Sequence, residues 1–327
     1  MRRSAVRLLV ALALLVAAGS LLVAWRAGAR EARALRDHPP AGAFVEVDGR
    51  RVHYVQRGEG PDLVLIHGAS GNLNDMTFSF MGRLTDRYRV TAFDRPGQGY
   101  TDRARDGLDG PWASDAESPS EQAAMLRAAA QALGIERPIV LGHSYAGAVA
   151  LAWGLDDPEN TAAVVDVSGA SMPWPGGLSR LYRLNATRLG GALAPPLVAA
   201  FAPERLVEEA VEGTFAPDPA PPGYAAHLGT GLSLRRASFR ANARQVNTLR
   251  PHLVEMEARY PSMAVPLEIV HGTLDTIVPA EVHSVPLSRL APGARLTLLE
   301  GVGHMPHQTD PEEVIAAIDR ARARAGL

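Results

Sequence analysis

The chain contains neither cysteine nor lysine. The first absence excludes a disulfide framework, a thiolate metal centre and a cysteine nucleophile. It leaves the compartment open, because a cysteine-free chain tolerates either redox environment. The second absence makes every basic side chain an arginine and removes Schiff-base and lysine–phosphate chemistry. Charge of one sign is not in excess: 33 basic residues face 35 acidic ones, a formal net charge of -2. A protein built to grip nucleic acid normally carries a basic excess, so that class of partner is disfavoured. Internal repeats are also missing. What is present is ordinary for a folded chain: of 327 residues, 46% are hydrophobic and 21% charged, enough for a sizeable core.

One stretch departs from that average. Arg2, Arg3 and Arg7 precede an uncharged apolar run from Leu8 to Trp25. As a helix at ~1.5 Å per residue it is about 27 Å long, close to the ~30 Å of a bilayer core. Trp25 sits at its end, where an aromatic ring suits the interface. A cleaved signal peptide has a shorter apolar core; Ala27-Gly28-Ala29 could pass for its cleavage site but lies among arginines, and cleavage with secretion is the alternative reading. An uncleaved single-pass anchor is expected, in a membrane of the bacterial inner-membrane type. Arginines on both sides leave its orientation open. Arg26 to Gly42, rich in Arg, Ala and Pro, reads as a tether, so residues 1–42 form a unit of their own.

From residue 43 the pattern changes. Phe44–Val47 and Val52–Val55 alternate around Asp48-Gly49, a hairpin. Six apolar runs follow: Leu63–Ile66, Val90–Phe93, Ile139–Leu141, Ala163–Val167, Leu267–Val270 and Leu296–Leu299. Helical stretches separate several of them, one from Ser120, as N-cap, to Leu133 with Gly134 as its stop, and a closing one over Pro311–Ala325. Unbroken apolar runs of this length predict strands buried on both faces. The fold class is therefore α/β: a mostly parallel eight-stranded sheet with helices on both faces. Between about Met172 and Met263 the alternation stops. Proline-rich turns and helical patches such as Leu234–Leu249 replace it, and this block reads as an inserted helical cap. The expected organisation is 43–171 and 264–327 as two parts of one core, with 172–263 as the lid.

In an open parallel sheet, ligands bind beyond the carboxyl ends of the strands. The run Ile139–Leu141 ends in Gly142-His143-Ser144-Tyr145-Ala146-Gly147 and enters an alanine-rich helix. A strand, a sharp turn and a helix push a serine hydroxyl outward, and small residues two before and two after it are needed because the backbone crowds itself. Here the chain resembles the nucleophile elbow of the α/β-hydrolase family, with Ala146 where the usual Gly-x-Ser-x-Gly ends in glycine. The loop Asp94-Arg95-Pro96-Gly97-Gln98-Gly99-Tyr100 and the segment Gly303-His304-Met305-Pro306-His307 resemble the same family, in the subset of cofactor-free haloperoxidase-like esterases and epoxide hydrolases. The resemblance runs from about Val45 to the C-terminus and fades in the cap. Serine at 144 disfavours epoxide hydrolase and haloalkane dehalogenase activities, which use aspartate there.

Serine needs a base oriented by an acid, and the family order is serine, acid, histidine. The resemblance places the acid at Asp275, after the run Leu267–Val270, and the base at His304, after Leu296–Leu299. It places the oxyanion donors on the backbone N–H of Tyr145 and on the His67-Gly68-Ala69 loop, at the N–H of Ala69. Asp166 is a rival acid that sits mid-run rather than at a strand end. His67, His143, His271 and His307 read as loop-ordering residues rather than a metal site, and Asp94 and Arg95 as a loop staple. Arg236, Arg240 and Arg244 read as a solvated helix stripe. Glycine spacings match neither the dinucleotide nor the P-loop pattern. The expected activity is cleavage of a small, apolar, ester-like substrate through an acyl-enzyme, with no metal or organic cofactor. C–C bond, lactone or amide hydrolysis, perhydrolysis, and a binding-only receptor on the same fold are the alternatives.

Overall fold

The computed structural model describes residues 2–327. Eight strands form one sheet: β1 (Ala43–Val47), β2 (Arg50–Arg57), β3 (Asp62–Ile66), β4 (Arg89–Phe93), β5 (Ile139–His143), β6 (Ala163–Val167), β7 (Leu267–Gly272) and β8 (Arg295–Leu299). Their spatial order is β1-β2-β4-β3-β5-β6-β7-β8. The first two strands pair antiparallel around Asp48 and Gly49, and β2 joins β4 antiparallel. Every other pairing is parallel. All eight strands lie on the runs expected from alternation and apolarity; β6 matches its run, and the others extend beyond theirs by one or two residues at one end or, for β2, at both.

The helices are α1 (Arg2–Asp37), α2 (Asn74–Phe78), α3 (Pro119–Ala132), α4 (Tyr145–Asp156), α5 (Arg180–Ala186), α6 (Arg188–Phe201), α7 (Glu204–Gly213), α8 (Tyr224–Leu228), α9 (Thr230–Ser233), α10 (Arg236–Glu257), α11 (Ser284–Leu290), α12 (Pro306–Thr309) and α13 (Pro311–Ala325). Because side chains alternate along a strand, each central strand feeds two cores. Val64, Ile66, Val140 and Val164 join Leu126, Val149 and Trp153 of α3 and α4 on one face. Leu63, Leu65, Ile139, Leu141 and Val165 join Phe80, Val314 and Ile318 on the other. The N-cap of α3 is Ser118, not Ser120: its side chain accepts from the Glu121 N–H while the Glu121 carboxylate accepts from the Ser118 N–H. Pro119 then occupies the first helical position, where a missing N–H costs nothing.

Six helices, α5 to α10, lie between β6 and β7. They are not a detached body. Leu249, Leu253 and Met256 of α10, with Tyr260 and Met263, are buried in the same cluster as the sheet and α4. The arginine stripe of α10 also differs from expectation. Arg244 is fully buried and donates to the carbonyls of Leu108, Gly110 and Pro111. The Arg240 Nε donates to the Gly191 carbonyl, and Arg236 forms a two-pronged pair with Glu31. Each guanidinium caps main-chain oxygens or a carboxylate, so the stripe fastens loops and helices rather than facing solvent.

Residues 26–37 are not a loose tether either. They continue α1 without a break, as expected of a stretch made of Ala, Arg, Leu and Glu, and the helix ends just before Pro39-Pro40. α1 is the one helix among the described residues that is long and apolar enough to cross a membrane, and its apolar run is exposed except at Val23, near its end.

Asp166 lies mid-β6, fully buried, with both carboxylate oxygens unpaired. Gly147 and Gly169 press on it: a Cβ on either would come within 2.2 and 1.6 Å of its Oδ1. Burial pushes its pKa up to about 7, against a weaker opposing influence of His271. The folded chain therefore holds this proton between about pH 4 and 7 while the unfolded chain releases it, so stability falls as pH rises through that window. Asp166→Asn is expected to flatten the dependence, measured as a smaller drop in Tm between pH 5 and pH 8 than in the parent protein.

Candidate active site

Ser144 stands between β5 and α4 with φ 55° and ψ -121°. The crowding explains the small neighbours. A Cβ on Gly142 would sit 2.0 Å from the Ala146 carbonyl oxygen, and one on Gly147 would strike Asp166 and Gly169. Alanine is accepted at 146, where the side chain is fully buried beside α3 and the sheet. The left-handed backbone at Ser144 costs energy that the flanking strand and helix must supply.

β7 and β8 deliver the two partners. His304 Nε2 lies 2.9 Å from Ser144 Oγ, and its Nδ1 lies 2.6 Å from Asp275 Oδ2. The hydroxyl donates to Nε2 and the Nδ1–H donates to the carboxylate. Asp275 is itself held: Oδ1 accepts the N–H groups of Ile277 and Val278, and Oδ2 also accepts from His271 Nε2. Burial by itself would raise the pKa of Asp275, but the hydrogen bonds from His271 and His304 outweigh it and keep the carboxyl well below the ordinary range. His271 is fixed in turn by the Val278 carbonyl and the Ser284 hydroxyl. The three residues expected from strand ends thus form one hydrogen-bonded chain, and Asp166 takes no part in it.

Tyr145 opens α4, so its N–H is among those a helix leaves unpaired at its start. Its side chain points away: the hydroxyl accepts from Gln122 and the ring packs under the Arg95 guanidinium at 4.4 Å. Ala69 lines the same cavity as Ser144, next to Gly68, where a Cβ would come 3.0 Å from Ser144 Cβ. The loop is fastened from below by Arg95, which is fully buried and donates to the carbonyls of His67 and Gly68 and to Gln122 and Gln245. His67 is held neutral by burial and by the nearby Arg95 charge, its pKa down to about 4. Its Nδ1–H therefore donates to the Gly68 carbonyl while Nε2 accepts the Arg95 N–H. Asp94 accepts from Leu73, Tyr100 and His53, closing the staple.

A second polar cluster lies beside this chain; the sequence reading covers its histidines, His143 and His307, as loop-ordering residues, but misses its centre, Asp75. Asp75 Oδ1 accepts from Tyr224, His307 Nε2 and Gln308. His143 stacks between His304 and His307, at 4.9 and 4.3 Å, and donates from Nε2 to the His304 carbonyl. The Nδ1 atoms of His143 and His307 have no partner. Ligand atoms of Asp75, His143 and His307 lie within 4.8 Å of one another. The carboxylate is already engaged by three donors, and, burial notwithstanding, His307 and His143 hold its pKa well below the usual carboxylate range. Asp75 follows the His67–Asn72 loop directly and His307 follows His304 by three residues, which is the signal that locates them.

The cavity over Ser144 measures about 830 Å³. Its floor holds Asp75, His143, Ser144 and His304, and its walls are apolar: Leu197, Val198, Phe201, Leu206 and Val207 from α6 and α7, with Met305 opposite. Asn242 of α10 ties the roof to the loop, accepting from the Ser70 N–H and donating to its hydroxyl.

This arrangement of sheet, elbow and strand-end partners places the protein among the hydrolases, and residues 63–317 match the alpha/beta hydrolase family; the chain belongs to that family and is a hydrolase enzyme. An uncharacterised protein of Mycobacterium tuberculosis is 29% identical over 89% of this chain and 84% of its own length. A pimeloyl-[acyl-carrier protein] methyl ester esterase of Aeromonas hydrophila is 26% identical over 80% of this chain and 95% of the relative. The crystal structure of a membrane phospholipase A, described as a bacterial virulence factor, superposes with a TM-score of 0.64 at 22% identity, covering 98% of this chain and 99% of that one.

The short Nδ1–Oδ2 contact is charge-assisted and shielded from water. A far-downfield proton resonance from His304 Nδ1–H is therefore expected in the parent protein. It should vanish in Asp275→Ala and persist in Asp166→Asn; a signal that survives the first change would mean that His304 is oriented by another group.

Proposed function

We propose that this chain is a membrane-anchored serine hydrolase that cleaves carboxylic ester bonds through an acyl-enzyme, with Ser144, His304 and Asp275 as its triad. The observation that carries the reading is the unbroken relay from Asp275 to His304 to Ser144, set on the floor of an apolar cavity. The Ser144 oxygen attacks the carbonyl carbon while His304 Nε2 takes the hydroxyl proton. The negative charge that develops on the former carbonyl oxygen is met by the N–H groups of Tyr145 and Ala69. Collapse breaks the ester C–O bond, and the proton on His304 passes to the departing alkoxide, releasing an alcohol. Water then repeats the sequence on the acyl-serine, with His304 as base, and the acid leaves. Asp275, kept ionised at neutral pH by its hydrogen bonds, holds the imidazole in the tautomer that leaves Nε2 free and stabilises the imidazolium.

Ester cleavage by the Aeromonas relative supports carboxylic esters as substrate. The exposed apolar run of α1 supports an anchor in place of a cleaved leader, because α1 remains a single helix up to Asp37 and grips the body of the protein beyond the run. The six helices between β6 and β7 act in this reading as the lid that excludes water from the acyl-enzyme.

A fluorophosphonate probe is expected to label the purified full-length protein, and Ser144→Ala to lose both labelling and turnover of p-nitrophenyl esters. Asp275→Asn should retain the fold and lose about 10⁴-fold in kcat, the size of effect that a wrong histidine tautomer produces. Full turnover in Ser144→Ala would overturn the mechanism.

A further inference from the structure

The apolar run of α1 ends at Trp25, and there the helix meets α6. Val23 and Ala27 pack against Ala199 and Ala200. One turn apart, Arg26 and Arg30 donate to the carbonyls of Ala200 and Ala202, at 2.8 and 2.9 Å, and the Arg26 guanidinium lies over the Phe201 ring. The pair between Glu31 and Arg236 locks the same helix to α10. Whatever depth α1 takes in a bilayer therefore fixes the position of α6.

α6 carries no charged residue after Arg188. Its outward side is a row of Leu189, Leu193, Leu197 and Phe201, four residues apart and each about half exposed or more, where a water-facing helix would carry polar side chains. α7 continues the row with exposed Leu206, and its glutamates 208, 209 and 212 are exposed as well. Leu197, Phe201 and Leu206 are both exposed and part of the cavity wall, so the row is the rim of the cavity that ends at Ser144. Arg33 and Arg36, exposed on the last turns of α1, suit anionic headgroups.

From these contacts we infer that the α6 row lies in the surface of the bilayer entered by α1, and that the cavity opens there, so that the substrate is a long-chain acyl ester of a membrane lipid that reaches Ser144 without crossing water. The occupant of the apolar row is the lipid itself: the row is continuous with the span through Phe201 and Arg26, and the rim of the cavity is where the two meet. The substrate class rests on the proposed esterase reading of Ser144; the docking of α6 on the bilayer does not.

The cysteine-free chain gives a clean background for site labelling. Full-length protein carrying a nitroxide at L193C, reconstituted in phosphatidylcholine–phosphatidylglycerol vesicles, should be accessible to oxygen and shielded from a water-soluble nickel chelate. The same label at E208C should show the reverse. Access of the chelate to position 193 would overturn the inference, and so would shielding accompanied by dipolar broadening between labels, which marks a second copy of the chain on that face. In a double variant L189Q/L193Q, neither of which lines the cavity, hydrolysis of vesicle-borne p-nitrophenyl palmitate should fall at least tenfold while hydrolysis of dissolved p-nitrophenyl acetate is unchanged. Equal loss on both esters, or loss on neither, overturns it. If the parent protein cleaves neither ester and takes no fluorophosphonate, the reading of Ser144 fails, and the label depths still decide whether α6 lies on lipid.

Discussion

The close passage of β5 and α4 is the constraint on which the rest of the molecule depends. The strand turns into the helix through one residue in a left-handed conformation, and the two elements then lie so near each other that a methyl group at Gly142 would overlap the carbonyl of Ala146. That proximity places Ser144 on the lining of the cavity and crowds Gly147 and Gly169 against Asp166 inside β6. The unpaired carboxyl in the core is the cost of the same packing that exposes the serine. Around this point the protein spends its buried charge on holding loops: Arg95 under the Gly68–Ala69 loop, Arg103 with Glu117 behind it, and Asp275 between two histidines.

Much of this was legible in the amino-acid sequence, for identifiable reasons. Strands buried on both faces must be apolar throughout, so Leu63–Ile66 or Ile139–Leu141 announce themselves in three or four residues. Reactive side chains on a parallel sheet sit just past those runs, which is why reading strand ends leads to Ser144, Asp275 and His304 as the residues that meet. The β1–β2 hairpin is written in Asp48-Gly49, both of which take positive φ.

The parts that escaped have a common physical character. Arg236, Arg240 and Arg244 look like a solvated stripe because their partners are main-chain carbonyls and one distant carboxylate, none of which leaves a pattern near α10. The union of α1 with α6 rests on alanines and again on carbonyls accepting from arginine, so the composition of residues 26–37 describes a tether as well as it describes a docked helix. Asp75 gathers Tyr224, His307 and Gln308 from parts of the chain about 150 and 230 residues away, a meeting that only the closed sheet brings about. In a chain without lysine, the planar, permanently charged guanidinium does all of this stapling, and its fork suits carbonyl pairs that an ammonium would hold less firmly.

The order of the elements along the chain has a consequence for the newly made protein. Synthesis passes α1 and reaches Ser144 well before β7 and β8, the strands that lead to Asp275 and His304. Until those strands dock, the elbow presents an ordinary alcohol with no base beside it. On the proposed function, a nascent chain can therefore be delivered to lipid by α1 and begin to fold there while still chemically inert, and its serine becomes reactive only once β7 and β8 have joined the sheet.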